Sequence, residues 1–180
     1  MALPGGSGAG IPDFESWYRQ EGTRLVNVLT LALAEPDVAK DAADEAFVRA
    51  YERWSRVSAM ESPVGWTYKV ALNYGRRRLL RRRVEQTLLL RQARDRSATA
   101  ASVLGPDGDL WSIIASLPLR QRTAIVLRYL GDFSEREVAQ LMGISDGAAS
   151  SSLSAARRRL AELLNRGADD LGMDRRTIHG

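Results

Sequence analysis

Two groups of residues in this chain have the types and spacing to do chemistry, and both point to nucleic acid. The first is a run of arginine. Between positions 76 and 96 lie nine arginines (76, 77, 78, 81, 82, 83, 91, 94 and 96) against two acids, Glu85 and Asp95. Just upstream stand Trp66, Tyr68, Asn73 and Tyr74. Aromatic rings beside a basic helix suit single-stranded nucleic acid, because bases stack on rings while guanidinium groups hold phosphates. The bland alternative is that Trp66 and Tyr74 are core and the arginines a solvated face. For the two rings the core assignment is preferred; for Arg76, Arg77 and Arg78, nucleic acid is preferred, since clustered like charges without acids repel one another.

The second group is Glu137-Val-Ala-Gln-Leu-Met-Gly-Ile-Ser-Asp-Gly-Ala-Ala149. Small Ala139 lets two helices approach closely, Gly143 permits a sharp turn four residues later, Ile144 plugs the junction, and Ala149 packs under the second helix. That is helix-turn-helix spacing, which places a second helix in a major groove. A plain helical hairpin is the alternative. A third group, the charged face from Asp41 to Arg53, is by itself an ordinary solvated face.

No catalytic set is present. The only histidine, His179, lies near the C-terminus with no partner in sight, and neither a Gly-rich phosphate loop nor a Ser-His-Asp set is found. Ser150, Ser151 and Ser152 sit on the expected recognition helix and face DNA or solvent. Cysteine is absent, which excludes disulfides and Cys-ligated metal; no metal or other cofactor is expected. The absence fits a cytoplasmic protein. No stretch reaches the roughly 20 apolar residues that span a bilayer, and residues 1–12, Gly-rich and without a basic or apolar leader segment, read as a loose tail rather than a signal peptide. No small-molecule substrate is implied.

The elements that must carry these groups are helices. The chain has 180 residues, 44% of them hydrophobic, and almost every apolar pattern has helical spacing. A first helix over 13–33 buries Leu25, Val28, Leu29 and Ala32, and Glu35-Pro36-Asp37 breaks it. A second starts near Asp37 with the stripe Ala43, Phe47, Ala50, Tyr51 and Trp54. A loop over 55–61 follows. Ser62-Pro63 opens a third helix that runs into the arginines near 83. Periodicity then vanishes, and small polar residues ending in Gly105-Pro-Asp-Gly108 mark a linker. Leu110, Ile113, Ile114 and Leu117 begin a second helical unit, which Pro118 restarts through Ile125, Val126 and Tyr129. Ser134-Glu-Arg-Glu137 has the form of a capping box. The last helix turns Ala149, Leu153, Ala156, Leu160 and Leu163 inward.

The expected architecture is all-α, with two small helical domains joined by a flexible linker: a tail over 1–12, a three-to-four-helix bundle over 13–91, a linker over 92–108, a helix-turn-helix domain over 109–165, and a C-terminal tail over 166–180. Net charge is +4. The excess of seven in the arginine segment exceeds this, so the remainder is slightly acidic. The positive charge is nearly all arginine, Lys40 and Lys69 being the only lysines.

At this point the pieces resemble a family, the extracytoplasmic-function (group IV) sigma factors of the sigma-70 family, which keep only sigma regions 2 and 4. The resemblance covers about 13–165. Asp41-Ala-Ala-Asp-Glu-Ala-Phe-Val-Arg-Ala-Tyr51 is similar to the region 2.2 pattern D-x-x-Q-E-x-F-x-R-A-W. Pro63-Val-Gly-Trp-Thr-Tyr-Lys-Val-Ala-Leu-Asn73, with arginines after it, resembles regions 2.3 and 2.4. Leu117-Pro-Leu-Arg-Gln-Arg122 and Leu127-Arg-Tyr-Leu130 resemble region 4.1, and the helix-turn-helix falls where region 4.2 should.

The resemblance implies a promoter-recognition subunit of RNA polymerase, not an enzyme. Asp41, Asp44, Glu45, Phe47 and Arg49 would meet the β′ clamp helices of the polymerase core, with Phe47 part of the core of its own domain. Trp66, Lys69, Asn73, Arg76 and Arg77 would open and hold the −10 element of promoter DNA. Ser145, Ala148, Ser150, Ser151, Ser152 and Arg157 would face the −35 element, with region 4 seated on the β flap. An anti-sigma factor is a further partner the resemblance implies. Three departures stand out: Asp44 replaces a usual Gln, Leu72 replaces a frequent Arg, and Ser150, Ser152 and Ala155 replace a usual Lys and two Args. Losing about three such contacts predicts a weaker −35 readout that leans on region 2, with Arg157, Arg158 and Arg159 as compensation. Two other readings are a stand-alone helix-turn-helix regulator, which would dimerise on a palindrome but shows no dimerisation helix, and a helical RNA-binding or scaffold protein, which leaves the second unit's spacing unexplained.

Overall fold

The computed structural model describes residues 13–92 and 108–170, with side chains over 13–87 and 110–165. All elements in these stretches are helices. The first begins where Asp13 accepts hydrogen bonds from the Ser16 amide (3.0 Å) and hydroxyl (2.9 Å), and runs as α1, Phe14–Leu33. It ends at Ala34 in the left-handed region (φ 54°), so that Pro36 can open α2, Pro36–Glu52, with proline in its first turn. The segment expected as a loop holds one further turn of helix, α3, Trp54–Val57. Ser62 then accepts the Gly65 amide at 3.0 Å and starts α4, Pro63–Gln92.

α1, α2 and α4 pack on one another. Alanines line α2: Ala39, Ala42, Ala43, Ala46 and Ala50 are all fully buried. Small side chains there bring α1 and α4 close, so that Leu25, Leu29, Leu33, Ala71 and Leu72 fill the remaining space. One end of this bundle is an aromatic cluster. Phe14 meets Tyr51 and Trp54 edge-on at 5.1 and 5.4 Å, and Phe47 meets Trp17 and Tyr18 edge-on at 5.4 and 4.8 Å. Edge-to-face pairs of this kind add about 0.5–1.5 kcal/mol beyond area burial. Tyr51, expected in the buried stripe, is 67% exposed. Its ring covers Phe14 from outside the core. α4 also departs from expectation, continuing to Gln92 rather than ending near 83. Arg, Leu and Gln are good helix formers, and its outer turns from Leu80 to Thr87 are largely solvated.

The second group comprises α5, Gly108–Ser116, α6, Leu119–Tyr129, α7, Glu135–Met142, and α8, Asp146–Asp170. Val126, Leu127, Val138, Ala149, Leu153 and Ala156 form its centre, each fully buried. α8 extends through 166–170, which were expected to belong to the tail. The expected linker falls almost wholly on 93–107, outside the described residues, as do the expected tails at 1–12 and 171–180.

The two helical groups also pack against each other, α1 on α6 and α4 on α7. Gly131 sits at this seam between α6 and α7. A Cβ there would lie 2.7 Å from the Leu127 carbonyl oxygen and 2.8 Å from the Phe133 ring. Gly131→Ala is therefore expected to lower stability by about 1–3 kcal/mol. Gly143→Ala meets no atom but forces alanine into φ 64°, for about 1–2 kcal/mol. Urea denaturation of the two variants beside the parent measures both.

Candidate nucleic-acid interface

The helix-turn-helix is built by its caps. The Ser134 hydroxyl accepts the Glu137 amide at 3.3 Å, while the Glu137 carboxylate accepts the Ser134 amide at 2.8 Å and hydroxyl at 2.6 Å. Both bonds of the expected capping box are present. The Ser134 hydroxyl and amide hold the Glu137 carboxyl below its ordinary pKa. α7 closes at Gly143, and the Ile144 amide reaches back to the Ala139 carbonyl at 3.0 Å. Ala139 is buried against α8, Ile144 fills the corner, and Ser145 caps α8 by accepting the Ala148 amide at 3.3 Å.

Along α8, Ser150, Ser151 and Ser154 are exposed, and the Ser151 hydroxyl donates to the Gly147 carbonyl at 2.8 Å. Ala148 is half-buried. Ser152 is a correction to the expected DNA-facing set: it is 8% exposed and donates to the Ala148 carbonyl at 2.7 Å, so its side chain belongs to the packed face. Arg157 is exposed but engaged. Its Nε donates to the Tyr129 hydroxyl at 3.0 Å and a terminal nitrogen to Glu135 at 3.2 Å. Those two partners raise its pKa further, Tyr129 first. Arg157 thus braces α8 against α6 and the start of α7. The sequence offered no sign of this, because Tyr129, Glu135 and Arg157 meet only in three dimensions.

On α4, Lys69, Asn73 and Arg77 are exposed and spaced i, i+4, i+8, so they form one stripe. Trp66 flanks it half-buried against the core, as does Tyr74. Trp66 and Lys69 line a cavity of about 200 Å³ whose other wall is Phe133, Glu137, Gln140 and Leu141 of the second group. Arg76 leaves the stripe: it donates to the Met142 carbonyl at 2.7 Å, at the C-terminal end of α7. Burial lowers its pKa, and nearby Arg120 adds to the lowering.

The charged face of α2 is divided. Asp41 and Asp44 are exposed, and Glu45 pairs with Arg49 at 2.6 Å one turn on. Phe47 is 5% exposed, a core residue as expected. What spacing alone did not show is an apolar groove of about 370 Å³ beside these residues, where Tyr18, Val48 and Tyr51 stand exposed next to Asp44. A second groove, about 420 Å³ and almost wholly apolar, opens on the other group among Leu110, Trp111, Tyr129, Leu130, Leu160 and Leu164. Among the described residues no cluster of His, Asp or Glu has the arrangement to hold a metal ion, and no helix is long and apolar enough to cross a membrane.

Among the described residues the fold is all-helical, with a helix-turn-helix and a long arginine-rich helix, an arrangement suited to binding DNA. Residues 107–160 match the family described as sigma-70, region 4. Over 153 residues the chain is 28% identical to the RNA polymerase sigma-E factor of Streptomyces avermitilis, spanning 84% of this chain and 85% of that one. It is 24% identical to the ECF RNA polymerase sigma factor SigM of Mycobacterium tuberculosis (84% and 76%) and 26% identical to SigW of Bacillus subtilis (70% and 75%). In fold it is similar to the sigma factor RpoE of Bartonella quintana, solved in complex with the anti-sigma factor NepR, with a TM-score of 0.63 and 22% identity over 84% of this chain and 98% of that one. Over most of its length the chain is thus similar to extracytoplasmic-function sigma factors.

The capping box carries a pH dependence. Glu137 titrates below its ordinary value when folded, so its stabilising effect is complete above about pH 4.5, the unfolded value, and fades as pH falls through the folded one. Glu137→Ala is expected to be less stable than the parent at pH 7, and the difference to narrow as pH falls below about 4.5, as followed by chemical denaturation across that range.

Proposed function

We propose that this chain directs core RNA polymerase to its promoters from the cytoplasm, with residues 13–91 acting on the −10 element and 109–165 on the −35 element. The observation that carries the assignment is the Lys69, Asn73 and Arg77 stripe beside Trp66 on a helix that continues into Arg81, Arg82 and Arg83. Lys69 and Arg77, two helical turns apart with the Asn73 amide between them, can follow a phosphate backbone, and an indole beside them offers a base a stacking surface. Arg76 joins them when it leaves the Met142 carbonyl.

On α8, exposed Ser150, Ser151 and Ser154 present short hydroxyls to a major groove, and Ser145 and Ala148 lie at the helix end that would enter it. With Ser152 packed and Arg157 engaged by Glu135, the first turns of this helix carry no free cation, which supports a −35 readout weaker than its −10 counterpart. Exposed Arg136 and Arg158 supply phosphate contacts from either side.

Two apolar grooves suit protein partners. Asp44, Val48 and Tyr51, with Asp41 and the Glu45–Arg49 pair at their rim, form a surface of the composition that docks on a helical pair such as the β′ clamp helices. The groove of Trp111, Leu130 and Leu160 suits an inserted apolar segment such as the β flap tip. An anti-sigma factor competing for these faces is a further partner. The stand-alone regulator is disfavoured by the match to polymerase sigma factors over 84% of this chain.

Run-off transcription with purified core enzyme on genomic fragments tests the assignment: discrete start sites are expected, and core binding without any initiation would overturn it. Within that assay Arg77→Ala is expected to keep core affinity and to lower the salt slope of single-stranded promoter binding by about 0.7. Val48→Asp is expected to do the reverse, weakening core capture while leaving the DNA salt slope unchanged.

A further inference from the structure

The exposed stripe of α8 continues beyond its serines. Ser150, Ser154 and Arg157 are all exposed and spaced i, i+4, i+7, so they share one face of the helix. Arg157 stands ~10 Å along the axis from Ser150, close to the roughly 12 Å width of a major groove. A helix that sets Ser150 among base edges therefore brings Arg157 to the rim of the groove, where the phosphates lie. The first helix of a helix-turn-helix crosses the DNA backbone. Here that helix is α7, and its first residue is Glu135.

The cation at this rim is already taken. The Arg157 guanidinium lies 5.9 Å from the centre of the Tyr129 ring, with Nε on the Tyr129 hydroxyl at 3.0 Å and a terminal nitrogen 3.2 Å from the Glu135 carboxylate. Arg128 lies 5.7 Å from the same ring and donates to the Phe133 carbonyl at 3.3 Å. Among the described residues Glu135 is the one carboxylate in an ion pair with Arg157. The two side chains are 44% and 46% exposed, and ion pairs so exposed contribute little to stability. The Tyr129 hydroxyl can hold Arg157 without any charge at position 135. The negative charge there acts chiefly on what arrives from outside, because a backbone phosphate must displace the carboxylate and then lie beside a like charge. Arg158, the next residue, is exposed and has no recorded ion pair, so it meets no such competitor.

We infer that Glu135 sets the strength with which α8 holds duplex DNA: it occupies the Arg157 guanidinium as an internal stand-in for a backbone phosphate, while Tyr129 fixes the side chain, so that Arg157 is withheld from DNA. That α8 meets a duplex rests on the function proposed above; the contact among Tyr129, Glu135 and Arg157 does not.

The test uses the full chain and a labelled mixed-sequence duplex of about 20 base pairs, long enough for two turns of B-DNA. Affinity is read by fluorescence anisotropy across a range of salt. Glu135→Gln keeps a hydrogen-bond acceptor for Arg157 and removes only the charge. It is expected to steepen the salt slope by about 0.9, one further phosphate neutralised. Glu52→Gln, the same change in net charge at an exposed site on α2, is expected to leave the slope as in the parent. Arg157→Gln is expected to change little in the parent and to abolish the gain in the Glu135→Gln background, a coupling that loss of a structural brace alone does not produce. Arg158→Gln is expected to flatten the slope by about 0.9 in every background. Contacts made by α4 are common to all variants and cancel in these differences.

A Glu135→Gln slope no steeper than that of Glu52→Gln overturns the inference. So does Arg157→Gln flattening the parent's slope, since Arg157 would then reach phosphate with Glu135 in place. Arg158→Gln without effect removes duplex binding by α8, and the −35 role with it. Slopes that separate as described in a chain that never directs initiation leave the Glu135 competition standing and remove the promoter assignment alone.

Discussion

The guanidinium of Arg122 is the interaction on which the arrangement of the whole molecule turns. It is 8% exposed and spreads its donors over carbonyls at the end of α1 and the end of α5. Arg122 makes no recorded ion pair, although Glu35 is near enough to favour its charge; such a buried cation is tolerable where several dipoles converge on it, and helix C-termini supply them because their last carbonyls have no partner within the helix. One side chain thereby satisfies two helix ends and joins two helical groups. A lysine there, with a compact ammonium in place of a planar fork, could not span the same set. The left-handed turn at Ala34 belongs to this device, since it ends α1 where its last carbonyls face α6.

Much of the local structure was legible because its causes are local. Asp13, Ser62, Ser134 and Ser145 each sit where a helix starts, and each accepts a nearby backbone amide in the structure. Gly143 turns where a left-handed residue was required. Boundaries were less legible. The apolar period fades after residue 83, yet α4 continues, because good helix formers need no buried face to extend a helix already nucleated. Tyr51 followed the spacing of the buried stripe but lies outside it, since Trp17, Phe47 and Trp54 already fill the space beneath.

The residues proposed to meet DNA divide in the same way. Lys69, Asn73 and Arg77 share a face by helical spacing alone, so the sequence sufficed. Ser152 and Arg157 depend on what packs beside α8. Ser152 turns inward among Ala149, Leu153 and Ala156, and Arg157 is claimed by residues 22 and 28 positions away. Nothing in local spacing announces such partners. The seam was the least legible of all, because arginines that donate to main-chain carbonyls leave no complementary side chain for a pattern to find.

The near-absence of lysine has a consequence for how this protein can be modified. Guanidinium groups keep their proton at every pH a cell reaches, so the charge that α4 offers to phosphate is fixed. Acylating enzymes, which act on free amines, find only two side-chain amines to work on, Lys40 and Lys69. Lys40 lies on α2, whereas Lys69 is on α4 and begins the stripe that runs on into the arginines. A single acetyl group at Lys69 would neutralise the one adjustable cation on that surface, and no other side-chain amine in the chain could mask or mimic its effect.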